Sequence, residues 1–256
     1  GILATDPLPL GPARTIYRTT AATGVQQVTT TQDASYVHLA ITFAQPPTTT
    51  LTLGLDTLPT RNAPPPPGST DHQASYALVL DPARHTGQTW VRDDLDPDPV
   101  DYTPIPDSSR PPPVNGWRPL ELITDRPWTL PATHTTTPMR FDNAGLLRYG
   151  NWTPGAPNYD SLALWHINGT ELDLRIPWAM TGISDPSSHQ ALIPLAMNHA
   201  ISQTIPGITL TIAGPTHTTQ NTGTIHWPTW NTVHYTERLK PDTNALHDAF
   251  TTVTAP

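Results

Sequence analysis

The residues with the clearest potential for chemistry are three aspartates at alternate positions, Asp94, Asp96 and Asp98, in the segment DDLDPDPVD. Several carboxylate oxygens held close together are the ligands that Ca²⁺ prefers in proteins. Asp56, at the end of a predicted strand, is a separate candidate ligand. The segment lacks the glycine and the closing glutamate of an EF-hand loop, and its prolines stiffen it. Two interpretations therefore stay open, a calcium site and a solvated acidic loop.

Aromatic residues in loop-like stretches are candidates for a second kind of site, a flat platform for sugars. An exposed ring can cover the apolar face of a pyranose while neighbouring Asp, Asn or Arg side chains bond to its hydroxyls. The alternative for each ring is a place in the core, which is the prediction for the strand residues Trp90, Trp165 and Trp178. The platform candidates are Trp117, Trp152, Tyr159, Trp227 and Trp230.

Catalytic chemistry has less support. Glycoside hydrolysis needs two facing carboxylates, one of them with a raised pKa. The chain has three glutamates, Glu121, Glu171 and Glu237, and Glu171 is predicted to form a surface pair with His166. Gly-x-Ser-x-Gly and His-Glu-x-x-His motifs are missing, and the eleven histidines are not spaced for zinc. No catalytic residue is predicted, and a glycoside hydrolase using aspartates is kept as an alternative.

Composition excludes several classes of partner. The 256 residues carry a net charge of −8, and the 13 Lys and Arg residues form no basic stripe, which argues against nucleic acid and anionic membranes. No apolar run approaches the roughly 20 residues of a membrane span. The chain has no cysteine, 32 prolines and several threonine runs. Threonine and proline richness with low charge favours an extracellular or cell-surface protein.

The element that must position these residues is a β-hairpin within Ser161–Ser188. Asn168-Gly169 is a strong two-residue turn signal between two apolar runs. A turn at these two residues predicts that Ile167 faces Thr170 and that His166 faces Glu171. The hairpin is interpreted as scaffold, with any site in the loops 93–117, 151–160 and 225–235.

The other elements predict an all-β fold. Tyr36–Phe43 and Thr50–Thr57 alternate apolar and polar residues, as half-buried strands do. A strand is also predicted over Ala191–Ala200, and a loop over Trp128–Pro138. Residues 1–256 are predicted to form a single antiparallel β-sandwich with jelly-roll or immunoglobulin-like layers and long proline-rich loops. Residues 1–12 are predicted to form an extended leader, and residues 241–253 are predicted to form a short terminal helix.

Four segments of the chain resemble a known group of sandwiches. DASYVHLAITF, LTLGLDTLP, ELDLRIPWAMTGISDPS and GITLTI are similar to strands of the family 9 carbohydrate-binding modules and of the DOMON-like domains attached to glucan-processing enzymes. The resemblance implies a non-catalytic, sugar-associated module of an exported protein. It transfers no ligand site, because the sugar-clamping positions of that family do not align with this chain.

The expected function is therefore that of a carbohydrate-binding or accessory module, with a polysaccharide or glycan as its partner. Other domains of a larger chain, or further copies of this one, are additional expected partners. The structural alternative is a subunit of a cell-surface or filamentous assembly that uses β-strand addition.

Overall fold

The computed structural model describes residues 11–58, 63–70, 73–98, 110–195, 199–214, 219–230 and 247–251. Within these ranges the chain forms eighteen strands in five antiparallel sheets. The strands are β1 Arg14–Arg18, β2 Val25–Gln32, β3 Tyr36–Phe43, β4 Leu51–Asp56, β5 Tyr76–Asp81, β6 Thr86–Arg92, β7 Trp117–Pro119, β8 Leu122–Asp125, β9 Trp128–Thr129, β10 Thr136–Thr137, β11 Arg140–Asp142, β12 Trp165–Asn168, β13 Glu171–Pro177, β14 Ile183–Asp185, β15 Gln190–Leu195, β16 His199–Thr204, β17 Ile208–Ala213 and β18 Thr219–Ile225.

Two large sheets enclose the core, which confirms the predicted all-β, sandwich-like fold. One has the order β1-β2-β3-β13-β12, and the other β18-β17-β4-β5-β6-β7. Their buried side chains form one hydrophobic cluster, because the alternating residues of each strand point to the same face. Leu39 and Leu174 from the first sheet join Leu53, Leu78 and Leu210 from the second.

The outer face of the six-stranded sheet is also covered. The proline-rich segment 63–68 lies against it, and the Thr52 hydroxyl donates to the carbonyl oxygen of Pro67 at 2.6 Å. Trp117 packs with Ala74 and Ala77 in a second small cluster on this side. This cover explains why five consecutive residues of β4, Leu51 to Leu55, are all buried, although a strand in a two-layer sandwich normally exposes alternate residues.

The central hairpin forms, but its register differs from the prediction. Asn168 pairs with Glu171, so the two-residue turn is Gly169-Thr170, and His166 faces Asp173 instead of Glu171. A type I′ turn at Asn168-Gly169 would need a positive φ at Asn168, whereas within the described hairpin only Gly169 has one, at 60°. The change moves each pairing by two residues, so the predicted core face is kept.

Four other predictions of elements are corrected or fall wholly or partly outside the described residues. Ala191–Ala200 is not one strand, because β15 and β16 pair with each other as a hairpin. The predicted loop Trp128–Pro138 contains the short ribbon of β9 and β10. Of the predicted leader 1–12, residues 1–10 lie outside the described part, as does most of the predicted helix 241–253. Residues 247–251 are helical, and no helix in the described residues is long and apolar enough to cross a membrane.

Candidate functional site

Two of the five predicted sugar platforms are buried, which corrects their assignment. Trp117 exposes 1% of its surface, and its indole N–H donates to the carbonyl oxygen of Pro64 at 2.9 Å. Trp227 exposes 4% and donates to the carbonyl oxygen of Pro186 at 2.8 Å. Because both rings are enclosed by protein, neither can stack on a sugar in this structure.

Trp230 belongs to the same aromatic cluster as Trp227. Its ring centroid lies 6.4 Å from that of Trp178, and its backbone N–H donates to Ser187 at 3.0 Å. Trp178 in turn packs on Trp227 at 4.7 Å. Trp230 is half-buried and packs against the core.

The remaining two candidates, Trp152 and Tyr159, lie on one loop that folds back on itself. The backbone N–H of Asn151 donates to Asn158 at 3.0 Å, and that of Asp160 donates to Asn151 at 2.8 Å. These bonds place Tyr159 beside Asn151. Tyr159 is 50% exposed and Trp152 is half-buried, so the two rings remain partly accessible.

This loop and the central hairpin enclose a cleft of about 280 Å³, which we call the amide cleft. The preceding segment runs along β12, where the Gly150 N–H donates to Trp165 at 3.0 Å. Neither Trp152 nor Tyr159 lines the cleft, but Trp152 contacts the lining residue His166 and Tyr159 is paired with the lining residue Asn151. The cleft is lined by Tyr149, Gly150, Asn151, Pro157, Asn158, His166, Ile167 and Asn168. The hairpin, interpreted from the sequence as scaffold, thus supplies three of the lining residues.

Arg175 holds Trp152 in place beside the cleft. Its guanidinium carbon lies 5.1 Å from the centroid of the Trp152 ring and 5.2 Å from that of Tyr36. The guanidinium is fixed by two hydrogen bonds to backbone carbonyls, from Nε to Ala163 at 2.7 Å and from Nη2 to Ser161. Cation–π contacts of this kind contribute roughly 0.5–2 kcal/mol each. The position of Trp152 is therefore set by β13.

His166 connects Trp152 to a carboxylate. The two rings meet edge to face, with centroids 4.9 Å apart. His166 Nε2 lies 3.2 Å from Asp173 Oδ2, on the cross-strand partner that the corrected register brings opposite. Burial raises the pKa of the Asp173 carboxyl; His166 opposes this effect and Glu171 adds to it. His166 Nδ1 is buried without a hydrogen-bond partner in the described structure.

Arginines pair with the carboxylates of the aspartate segment, and a calcium site there stays a prediction. Asp94 bonds to Arg92. Asp96 and Asp98 share Arg110, whose Nη1 lies 2.8 and 2.7 Å from their carboxylate oxygens. The cation that Asp96 and Asp98 share in the described structure is thus a guanidinium.

The separate calcium candidate is Asp56, which belongs to no group of three or more potential metal ligands among the described residues. It ends β4, where it pairs with Thr209 of β17. Throughout the described part of the chain, no group of three or more His, Cys, Asp or Glu side chains is placed to hold a metal ion. Calcium takes about 6–8 oxygens, so a site at any of these aspartates would need carbonyl, amide or water ligands as well, and calcium binding stays a prediction.

The surroundings of Asp98 predict how the free energy of unfolding depends on pH. Burial and the Asp96 carboxylate raise the pKa of Asp98 from 3.8 to about 6, although Arg110 opposes them. The folded chain therefore holds this proton more tightly than the unfolded chain does. The free energy of unfolding should fall as the pH rises from about 4 to about 6, because ionisation is less costly in the unfolded state.

Urea denaturation of wild type and Asp98→Asn between pH 4 and pH 7 measures this contribution. The variant should show a smaller fall in the free energy of unfolding across the window. Asp125→Asn, at an exposed carboxylate, is the control and should follow the wild-type profile. Identical profiles for wild type and Asp98→Asn would show that Asp98 contributes nothing to the pH dependence.

A second cavity, of about 330 Å³, lies under the 3₁₀ helix Trp178–Thr181 that follows the hairpin. Tyr76 is at its inner end, where burial and Asp96 raise the pKa of the phenol. The lining is almost wholly apolar, so this cavity offers few hydrogen bonds to a hydroxyl-rich ligand. It is lined by Tyr76, Pro97, Leu120, Leu122, Ala144, Pro177, Ala179, Met180, Gly182, Ile183, Ser184 and Leu192.

Comparisons with protein-family models, with curated proteins and with solved structures find no match to this chain. The resemblance to family 9 carbohydrate-binding modules and DOMON-like domains accordingly stays a prediction. The geometry of the amide cleft and of the rings near it is the remaining indication of function.

Proposed function

We propose that this chain is a non-catalytic β-sandwich module that binds carbohydrate, with the amide cleft as the sugar site. The observation that carries the proposal is a cleft lined by three asparagines and Tyr149. Two partly exposed rings adjoin its lining, Trp152 through its contact with His166 and Tyr159 through its pairing with Asn151. A sugar presents an apolar C–H face and a rim of hydroxyls. Aromatic rings suit the face, and asparagine amides, which both donate and accept, suit the rim.

Binding is favoured over hydrolysis by the chemistry of the lining. Glycoside hydrolysis needs two carboxyl groups about 5–9.5 Å apart on either side of the scissile bond. The described lining of the amide cleft contains no Asp or Glu. Of the two hairpin carboxylates that lie opposite lining residues, Asp173 is engaged with His166 and Glu171 is exposed opposite Asn168. The proposed role is therefore to hold a glycan, in an exported protein whose threonine- and proline-rich composition suits an extracellular setting.

A binding panel tests this function. The purified chain is applied to a glycan array and mixed with insoluble glucans, xylans, mannans and chitin, and retention is compared with that of serum albumin. We expect saturable binding to at least one glycan class. Binding to none of them would contradict the proposed function.

A further inference from the structure

We infer that the amide cleft selects neutral glycans over anionic ones and binds them without a metal ion. The inference rests on the proposed function and deepens it, because it names the class of sugar that the site accepts. It is carried by the distribution of charge around the cleft.

The lining residues provide the first observation. Among the eight described residues that line the amide cleft there is no Asp, Glu, Lys or Arg. A uronate or sulfate group entering the cleft would lose its hydration, and the one lining side chain that can become cationic, His166, already faces Asp173 at 3.2 Å. Burying an unpaired charge is costly, whereas burying a hydroxyl that meets an amide is nearly neutral.

Two arginines, one next to the lining residue Tyr149 in the chain and one on β13, already have partners. Arg148 Nη1 lies 3.6 Å from Asp160 Oδ2. Arg175 donates to two backbone carbonyls and lies against the rings of Trp152 and Tyr36. An anionic ligand would have to compete with these partners for a guanidinium, which a neutral sugar does not need.

The surrounding field opposes anions further. Glu171 is exposed at the end of the hairpin, directly opposite Asn168 of the cleft. The chain as a whole carries a net charge of −8. Both contributions repel a negatively charged sugar at low ionic strength.

The described lining also predicts that sugar binding does not need a metal ion. Calcium-dependent sugar sites hold the ion with several carboxylates, and the described lining supplies none. The Asn158 and Asn168 side chains and the Nδ2 donor of Asn151 can instead bond the sugar hydroxyls directly, whereas Asn151 Oδ1 already accepts from the Thr153 N–H at 2.8 Å. The volume, about 280 Å³, is near the lower end of small-molecule sites, roughly 300 Å³, so a short sugar segment fits.

The test compares matched pairs of sugars by isothermal titration calorimetry at low salt. The probes are β-1,4-linked tetrasaccharides of glucose and of mannose, each with its uronate counterpart, with and without EDTA. We expect the neutral member of a binding pair to bind at least tenfold more tightly, about 1.4 kcal/mol, and EDTA to change nothing.

The outcomes separate the inference from the function on which it rests. A uronate that binds as tightly as its neutral counterpart, or binding that EDTA abolishes, overturns the inference and leaves carbohydrate binding intact. If neither member of either pair binds, and the panel of glycans is also silent, the proposed function itself fails.

Discussion

Arg110→Ala is expected to lower the free energy of unfolding by about 3–5 kcal/mol at pH 7, the range found when one partner of a buried ion pair is removed. The side chains of Asp96 and Asp98 expose only 5% and 2% of their surface, so water cannot replace the guanidinium. The substitution also removes the contact of Arg110 with the Phe141 ring, 5.0 Å away.

Urea denaturation with a matched surface variant measures this effect. Arg84→Ala removes an exposed pair with Asp81 and should leave the denaturation midpoint unchanged, because surface pairs contribute little. Adding Asp96→Asn and Asp98→Asn to Arg110→Ala should recover much of the loss, since the unpaired charges are then gone. If Arg110→Ala were no more destabilising than Arg84→Ala, the aspartates would not depend on Arg110 for charge compensation.

Trp152→Ala is expected to weaken binding of the neutral glycan at least tenfold, about 1.4 kcal/mol, with the fold retained. The ring contacts His166 of the amide cleft and the guanidinium of Arg175, so its position is set before a sugar binds. Trp152→Phe should keep part of the affinity, because a smaller ring remains to cover the C–H face.

A second tryptophan provides the control for this prediction. Trp128 is 62% exposed on the short ribbon of β9 and β10, so Trp128→Ala removes a comparable ring from a different surface. The affinity of Trp128→Ala for the neutral glycan should equal that of wild type. Equal affinities for Trp152→Ala and wild type would show that Trp152 takes no part in binding. A loss on Trp128→Ala as large as on Trp152→Ala would place the sugar elsewhere.

The strand pattern could be predicted from the sequence because it is local. Alternation within Tyr36–Phe43 determines which side chains face the core, and the structure has the same strand. The hairpin faces were also predicted correctly. Its register was not, because the choice between turns at Asn168-Gly169 and Gly169-Thr170 depends on which residues adopt positive φ when the hairpin pairs with β3.

The errors at the candidate sites arise from contacts that are distant in the chain. Trp117 is covered by Pro64, 53 positions away, and Trp227 by Pro186, 41 positions away. The aspartates differ from these two rings, because Arg110 lies in the same loop, 14 and 12 positions from Asp96 and Asp98. Local sequence marks these residues as aromatic or acidic but does not show what will pack on them.

The amide cleft was missed for the same reason. The loop 151–160 was a predicted location, and Trp152 and Tyr159 do lie there. The opposing wall comes from His166, Ile167 and Asn168 of the hairpin. The predicted register pairs His166 with Glu171, whereas in the structure His166 faces Asp173. The recurrence of Asn beside aromatic residues in this region was the signal available in the sequence.

The most direct measurement of the central claim is an NMR titration of the ¹⁵N-labelled chain with a neutral tetrasaccharide that the panel identifies. The side-chain amide signals of Asn151, Asn158 and Asn168, assigned through single Asn→Asp variants, should shift together and saturate at one affinity. Shifts confined to the apolar cavity around Tyr76 and Met180, with these amide signals unmoved, would contradict the assignment of the amide cleft as the sugar site.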